Sequence, residues 1–141
     1  MQIDVYNFPD DLYYEKNHFW AKVDTNGNVI LGATDFFQKL AGEIVFIELP
    51  MKGAKVTQGQ SFSSLESGKW VGKIFAPVSG EIIEVNSELE DSPELINQSC
   101  YGDGWIAKIK PSNLDAELAN LYKTGPEFES FIKEEIQKHK K

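Results

Sequence analysis

Arginine is absent from this chain. All 14 of its Lys and Arg positions are lysine, set against 22 acidic residues, for a net charge of −8. A nucleic-acid surface needs a basic face and usually grips phosphates and base edges with Arg forks, so that class of partner is excluded. Acidic excess instead suits solubility and steering toward basic protein surfaces. Cysteine occurs once, at Cys100, which rules out an internal disulfide framework and fits a reducing, cytoplasmic compartment. With that single thiol, the two widely separated histidines, His18 and His139, form no recognisable metal-ligand pattern. No apolar run approaches the ~18 residues that read as a membrane span. The opening Met1-Gln2-Ile3-Asp4-Val5-Tyr6 lacks the basic and apolar regions of a secretory signal, so no membrane association is expected. Gly102-Asp103-Gly104 is too short for a phosphate-binding loop, and neither a Ser-His-Asp spacing nor a nucleophile elbow is present.

What is abundant is strand-forming and aromatic. Hydrophobic residues make up 41% of the chain, with three Trp, five Tyr and nine Phe, enough for one domain with a true core and a terminal appendage. His18–Asp24 and Asn28–Ala33 read as a hairpin, and Asn26-Gly27 suggests a type I′ turn. Thr34 or Asp35 caps a short helix that stops near Gly42. Strand candidates follow at 43–49, 60–67, 70–76, 81–85 and 105–110, punctuated by Pro and Gly. Ala41-Gly42-Glu43-Ile44-Val45 returns as Ser79-Gly80-Glu81-Ile82-Ile83, and Glu48-Leu49 is echoed by Glu88-Leu89. Two similar half-sheets around a central hairpin suggest a flattened barrel or sandwich with approximate two-fold symmetry. The tail changes character. Leu114, Leu118, Leu121 and Tyr122 fall at helical spacing up to the break at Gly125-Pro126. A second helix then sets Phe128, Phe131, Ile132 and Ile136 against a face of Glu129, Lys133, Glu134, Glu135 and Lys138. The run Lys138-His139-Lys140-Lys141 complements its dipole. The expected division is a body over 1–124 and a C-terminal helix over 125–141, packed on the body or extending from it.

The central hairpin holds the residue with chemical potential. Ser67-Gly68-Lys69-Trp70 joins two strand-like runs, and Gly68 is expected to supply a positive φ for a tight turn that presents Lys69 outward. A lysine at a hairpin tip is ordinarily a solvated charge. It is also well placed to enter a modifying enzyme and carry a long acyl arm. Trp70 beside it reads either as an anchor for partners or arm, or as packing over the hairpin. Cys100 has no Lys, Arg or His beside it to lower its pKa, so it reads as structural rather than as a resolving thiol.

Several motifs in register resemble the glycine cleavage system H protein family. They are the run Val29 to Pro50, Leu65-Glu66-Ser67-Gly68-Lys69, Ala76-Pro77-Val78-Ser79-Gly80-Glu81, Glu90 to Asn97, and Tyr101-Gly102-Asp103-Gly104-Trp105. The resemblance covers roughly Leu12 to Tyr122. It implies a mainly β fold, a lipoyl/biotinyl-type barrel-sandwich hybrid with pseudo-two-fold symmetry plus short and C-terminal helices. It also implies lipoic acid attached to Lys69 and recognition of Glu66 by the modifying enzyme, a lipoate-protein ligase or lipoyl transferase. Such a protein is a swinging-arm carrier and not an enzyme, because it contributes no base or nucleophile of its own. Dihydrolipoamide dehydrogenase would reoxidise the arm, and the carrier is expected to be a monomer.

The departures from the family pattern fall where cargo chemistry would be decided. The hairpin reads Gly68-Lys69-Trp70 where the family usually has Val-Lys-Ala. Asn17-His18-Phe19-Trp20 carries Phe where the family has Glu, and Lys73 stands where an acid is usual. The resemblance makes Asn17, Phe19 and Lys73 the surroundings of the docked cargo, together with the Gly68 and Trp70 shoulders of the arm. Losing two acids and gaining a lysine disfavours a cationic aminomethyl group and favours an anionic or sulfur-bearing one. The expectation is therefore a lipoate-binding carrier of sulfur oxidation, working with a heterodisulfide-reductase-like complex. The alternative is a glycine cleavage carrier serving glycine decarboxylase and aminomethyltransferase. An unmodified adaptor and a lipoyl-relay protein are further alternatives.

Overall fold

A computed structural model of the chain describes residues 1–139, so Lys140 and Lys141 of the expected basic helix end lie outside the described residues. In chain order the elements are β1 (Gln2–Ile3), β2 (Tyr6–Asn7), β3 (Tyr13–Glu15), β4 (Phe19–Val23), β5 (Val29–Ala33), α1 (Asp35–Ala41), β6 (Ile44–Ile47) and β7 (Lys55–Val56). They continue as β8 (Ser61–Ser67), β9 (Val71–Phe75), β10 (Gly80–Val85), α2 (Glu88–Asp91), α3 (Leu95–Gln98), β11 (Ala107–Pro111), α4 (Leu114–Leu118) and α5 (Pro126–Lys138). Six strands form one sheet in the order β3-β4-β5-β11-β10-β7, three form another in the order β6-β8-β9, and β1 pairs with β2. All pairings are antiparallel. The fold is mainly β, of the lipoyl-type barrel-sandwich kind.

Side-chain alternation explains why β4 looks continuously apolar. Successive residues of a strand face opposite sides of the sheet. Phe19 and Ala21 enter a main core with Leu31, Ile44, Leu65, Ile74, Ile82 and Ile109. Trp20 points the other way, into a second core with Ile3, Phe8, Tyr14, Phe36, Phe128, Ile132 and Ile136. Helix α1 is split in the same manner, with Phe37 and Ala41 in the first core and Phe36 in the second. Both faces of this edge of the sheet are therefore covered, one by the second sheet and the other by the N-terminal segment and α5.

The expected cap is present. The Thr34 side chain accepts from the Phe37 N–H at 3.2 Å, and α1 ends at Gly42, φ +84°, whose N–H reaches the Gln38 carbonyl at 3.0 Å. The turn between β4 and β5 is not the expected type I′. Gly27 alone has positive φ (+81°), and the Asp24 carboxylate accepts from the N–H groups of Asn26 and Asn28, so a side chain bridges a longer loop. The helix expected through Tyr122 is shorter. It stops at Leu118 because Tyr122 is drawn into a backbone bridge with Tyr14, both N–H···O distances being 2.9 Å. The two copies of the internal repeat lie on different sheets, in β6 and β10, with Ile44 and Ile82 both buried in the main core.

Candidate functional site

The β8–β9 hairpin ends in the two-residue tip Gly68-Lys69, closed by the Ser67 N–H donating to the Trp70 carbonyl at 2.8 Å. Gly68 is not among the residues with positive φ, which corrects the expected role of its glycine freedom. A Cβ there would meet open space. The Ser67 hydroxyl is the local organiser, accepting a long hydrogen bond of 3.4 Å from the Lys69 N–H. Lys69 is exposed, and its aliphatic stem runs across the end of α1, with Cε 3.2 Å from where a Cβ on Gly42 would sit. That corner is held by Asn97, which accepts from the Ile44 N–H and donates to the Gly42 carbonyl, both at 2.8 Å.

Lys69 borders a cleft of about 460 Å³. Phe37, Leu40, Trp70 and Phe75 give it apolar walls, and Asn17, His18, Lys73 and Glu135 give it polar ones. Trp70 is 40% exposed, yet its ring stands edge-on to Phe37 at 5.3 Å and lies where a Cβ on Gly72 would be, 1.7 Å from its ring atoms. Trp70 thus packs over the hairpin, as one of its two readings expected, and in doing so forms part of the cleft wall. Glu135 Oε1 accepts from His18 Nε2 at 2.8 Å, and Oε2 pairs with Lys138 at 3.1 Å. Burial pushes the His18 imidazole below its ordinary pKa, although Glu135 pulls the other way. Burial favours protonated Glu135, but hydrogen bonds from His18 and Lys138 outweigh it and hold the carboxyl below the usual carboxylate value. The pair is therefore a neutral imidazole donating to a carboxylate.

Of the residues expected from the sequence, Lys69, Trp70, Lys73 and Asn17 share this cleft. Asn17 is partly tied down, donating its side-chain amide to Glu15 at 2.6 Å. Phe19 is not at the cleft. Register places it on the same face as Ala21 and Leu31, fully buried and 5.0 Å from the Phe37 ring, so it lines no cargo site here. Glu66 is exposed on β8, opposite Phe46 on one side and Val71 on the other, both more than half exposed. A bulge at Val45 turns it outward together with Phe46, leaving Glu66 and Lys69 bordered by apolar surface. Cys100 is buried and its thiol is pushed up to about 12 by burial, which removes it from thiolate chemistry at neutral pH.

Glu135 and His18 were missed as cleft residues. Glu135 was read on the solvated face of α5, yet 132, 135, 136 and 139 form one stripe at helical spacing. His18 gave no sequence signal: its position depends on a backbone φ of +78° at the β3–β4 turn, rare for a non-glycine residue.

Two antiparallel sheets with an exposed lysine at the tip of a hairpin define a class, the lipoyl-type barrel-sandwich proteins. The model of the glycine cleavage H-protein family matches residues 12–135. The chain is 50% identical over 121 residues to a probable glycine cleavage system H protein of Thermococcus gammatolerans, covering 86% of this chain and 90% of that one. It is 46% identical over 131 residues to the glycine cleavage system H protein 2 of Aquifex aeolicus, covering 92% and 81%. The crystal structure of a glycine cleavage system H protein from Mycobacterium marinum superposes with a TM-score of 0.72 at 32% identity, over 80% of this chain and 97% of that one. The chain belongs to the glycine cleavage H-protein family. Members of this family carry a lipoate on a lysine, and the chain is a carrier component rather than an enzyme. The residues here fit such a group: an exposed amine, an apolar wall beside it and a glycine under its stem. No helix among the described residues is long and apolar enough to cross a membrane.

Proposed function

We propose that Lys69 carries the lipoyl group and that the protein shuttles an aminomethyl cargo in glycine cleavage. The observation that carries the attachment site is the exposed amine at the hairpin tip bordering a cleft with an apolar wall. When bound, the lipoyl group supplies a disulfide that opens to a dithiol, holds cargo on sulfur and is closed again by dihydrolipoamide dehydrogenase. The chain's own part is positional. Phe37, Leu40, Trp70 and Phe75 offer the arm a dry surface, and the exposed strip around Glu66 offers a lipoate-protein ligase or lipoyl transferase a docking edge next to the amine. Glycine decarboxylase and aminomethyltransferase are the partners this reading implies.

The glycine cleavage cargo is preferred over the sulfur-oxidation cargo on two grounds. The relatives compared above bear the glycine cleavage name. Phe19, one of the two departures that point to a changed cargo, lies in the core. Lys73, with Lys16, favours an anionic or sulfur-bearing cargo, since both bring positive charge to the cleft. The test is turnover of the lipoylated protein with glycine decarboxylase and aminomethyltransferase, against an established H protein. Comparable turnover is expected. No turnover, with transfer supported instead by a heterodisulfide-reductase-like complex, would move the protein to the sulfur branch.

A further inference from the structure

The charged and titratable side chains lining the cleft are Lys16, His18, Lys69, Lys73, Glu135 and His139. Of the described residues that line it, only Glu135 is negative. It comes from the C-terminal helix, which the second core fastens through Phe128, Ile132 and Ile136 against Ile3, Phe8 and Tyr14. Building on the lipoyl-carrier reading, we infer that Glu135 is the anion that holds a cationic cargo when the arm is docked in this cleft. A positively charged amine in a largely apolar cleft needs an anionic partner, and no other lining side chain supplies one. Acylation of Lys69 would remove one competing positive charge.

The carboxylate is set up for the task. Its side chain is 13% exposed, so its field is less screened than that of a surface acid. The buried His18 ring fixes its orientation without cancelling its charge, because the imidazole is neutral. The other partner, Lys138, is a surface cation with a 69% exposed side chain. Such pairs contribute little and exchange readily. A carboxylate also has acceptor sites beyond the two these partners use. An incoming ammonium can therefore displace Lys138 while keeping His18. Lys73 and Lys16, which also line the cleft, limit the selectivity and make it a balance rather than a plain anion site.

The test loads the arm chemically, without partner enzymes. Intact mass and peptide mapping first establish lipoylation at Lys69; its absence would defeat the carrier reading rather than this one. The reduced arm is then alkylated with bromoethylamine to give a cationic end, with iodoacetamide to give a neutral one, or with iodoacetate to give an anionic one. Docking is read by NMR from the Trp70 indole and His18 ring signals. The cationic arm is expected to dock better than the neutral arm. Glu135→Gln should lower the docked-to-free ratio of the cationic arm by about tenfold and leave the neutral arm unchanged, the loss of one charge-assisted contact. Lys138→Ala should raise cationic docking, an opposite effect that a purely structural role of the helix end would not produce. It also decides the matter if Glu135→Gln proves unstable. Equal docking of cationic and neutral arms, no response to either variant, or preferential docking of the anionic arm would each overturn the assignment.

Discussion

Phe19, Lys73, Gly68 and His18 show how far single residues can be read without their neighbours. Phe19 and Lys73 are both departures from the family pattern, but only Lys73 is exposed at the cleft. Phe19→Glu would leave an unpaired carboxylate in the main core and should destabilise the protein by about 3–5 kcal/mol or more, whereas Lys73→Asp should leave chemical denaturation unchanged. Equal denaturation midpoints for the two variants would show that Phe19 is not packed as described. Gly68 has room for a Cβ and no positive φ, so Gly68→Ala should stabilise the hairpin by about 0.4–1 kcal/mol through a less flexible unfolded chain. A drop in thermal midpoint would return the strained turn that the sequence suggested. His18 is held neutral by burial, while in the unfolded chain it titrates near its ordinary value of 6.5. As pH falls below 6.5 the unfolded state takes up more protons, so stability present above that pH is lost on acidification. The melting temperature of His18→Asn should fall less steeply over this range than that of the wild type. Parallel curves would remove the buried neutral imidazole from the account.

At the scale of elements, the sequence was most informative where one local rule acts alone. The Thr34 cap, the stop at Gly42 and the five longer strands after it needed only capping, glycine and alternation. Short pairings were hidden. β1, β2, β3 and β7 have two or three residues each, too few for any periodicity, and exist because a neighbouring strand or core accepts them. The same holds for the shortened α4, where Tyr122 prefers a tertiary bridge to another helical turn. α5 was legible as an amphipathic helix, but not the surface it covers. Its Phe128 stacks on Tyr14 at 4.7 Å and meets Phe8 edge-on at 5.0 Å. Phe128→Ala should therefore cost about 3–5 kcal/mol in urea unfolding. A cost under ~1 kcal/mol would mean that α5 is a loose appendage rather than one wall of the second core.

For the whole molecule, the arrangement separates work between two cores. The main core between the sheets fixes the hairpin and its lysine, and the second core brings α5, and with it Glu135 and His139, to the same cleft. The class of fold and the position of Lys69 could be read from motifs in register along the chain. The cleft could not, since its lining is drawn from Lys16 to His139 and depends on which way β4 and α5 face. The acidic surface, −8 overall, leaves basic partner surfaces as the natural complement to the apolar strip beside Glu66. The claim on which all of this rests is that Lys69 is the attachment point. Purified wild-type protein and Lys69→Arg should be incubated with lipoate, ATP and a lipoate-protein ligase, then weighed intact and mapped by peptide mass spectrometry. The account predicts one lipoyl group on the wild type, located on Lys69, and none on a variant with an unchanged circular dichroism spectrum. A lipoyl group on folded Lys69→Arg, or an unmodified wild type under conditions that modify an established H protein, would contradict it.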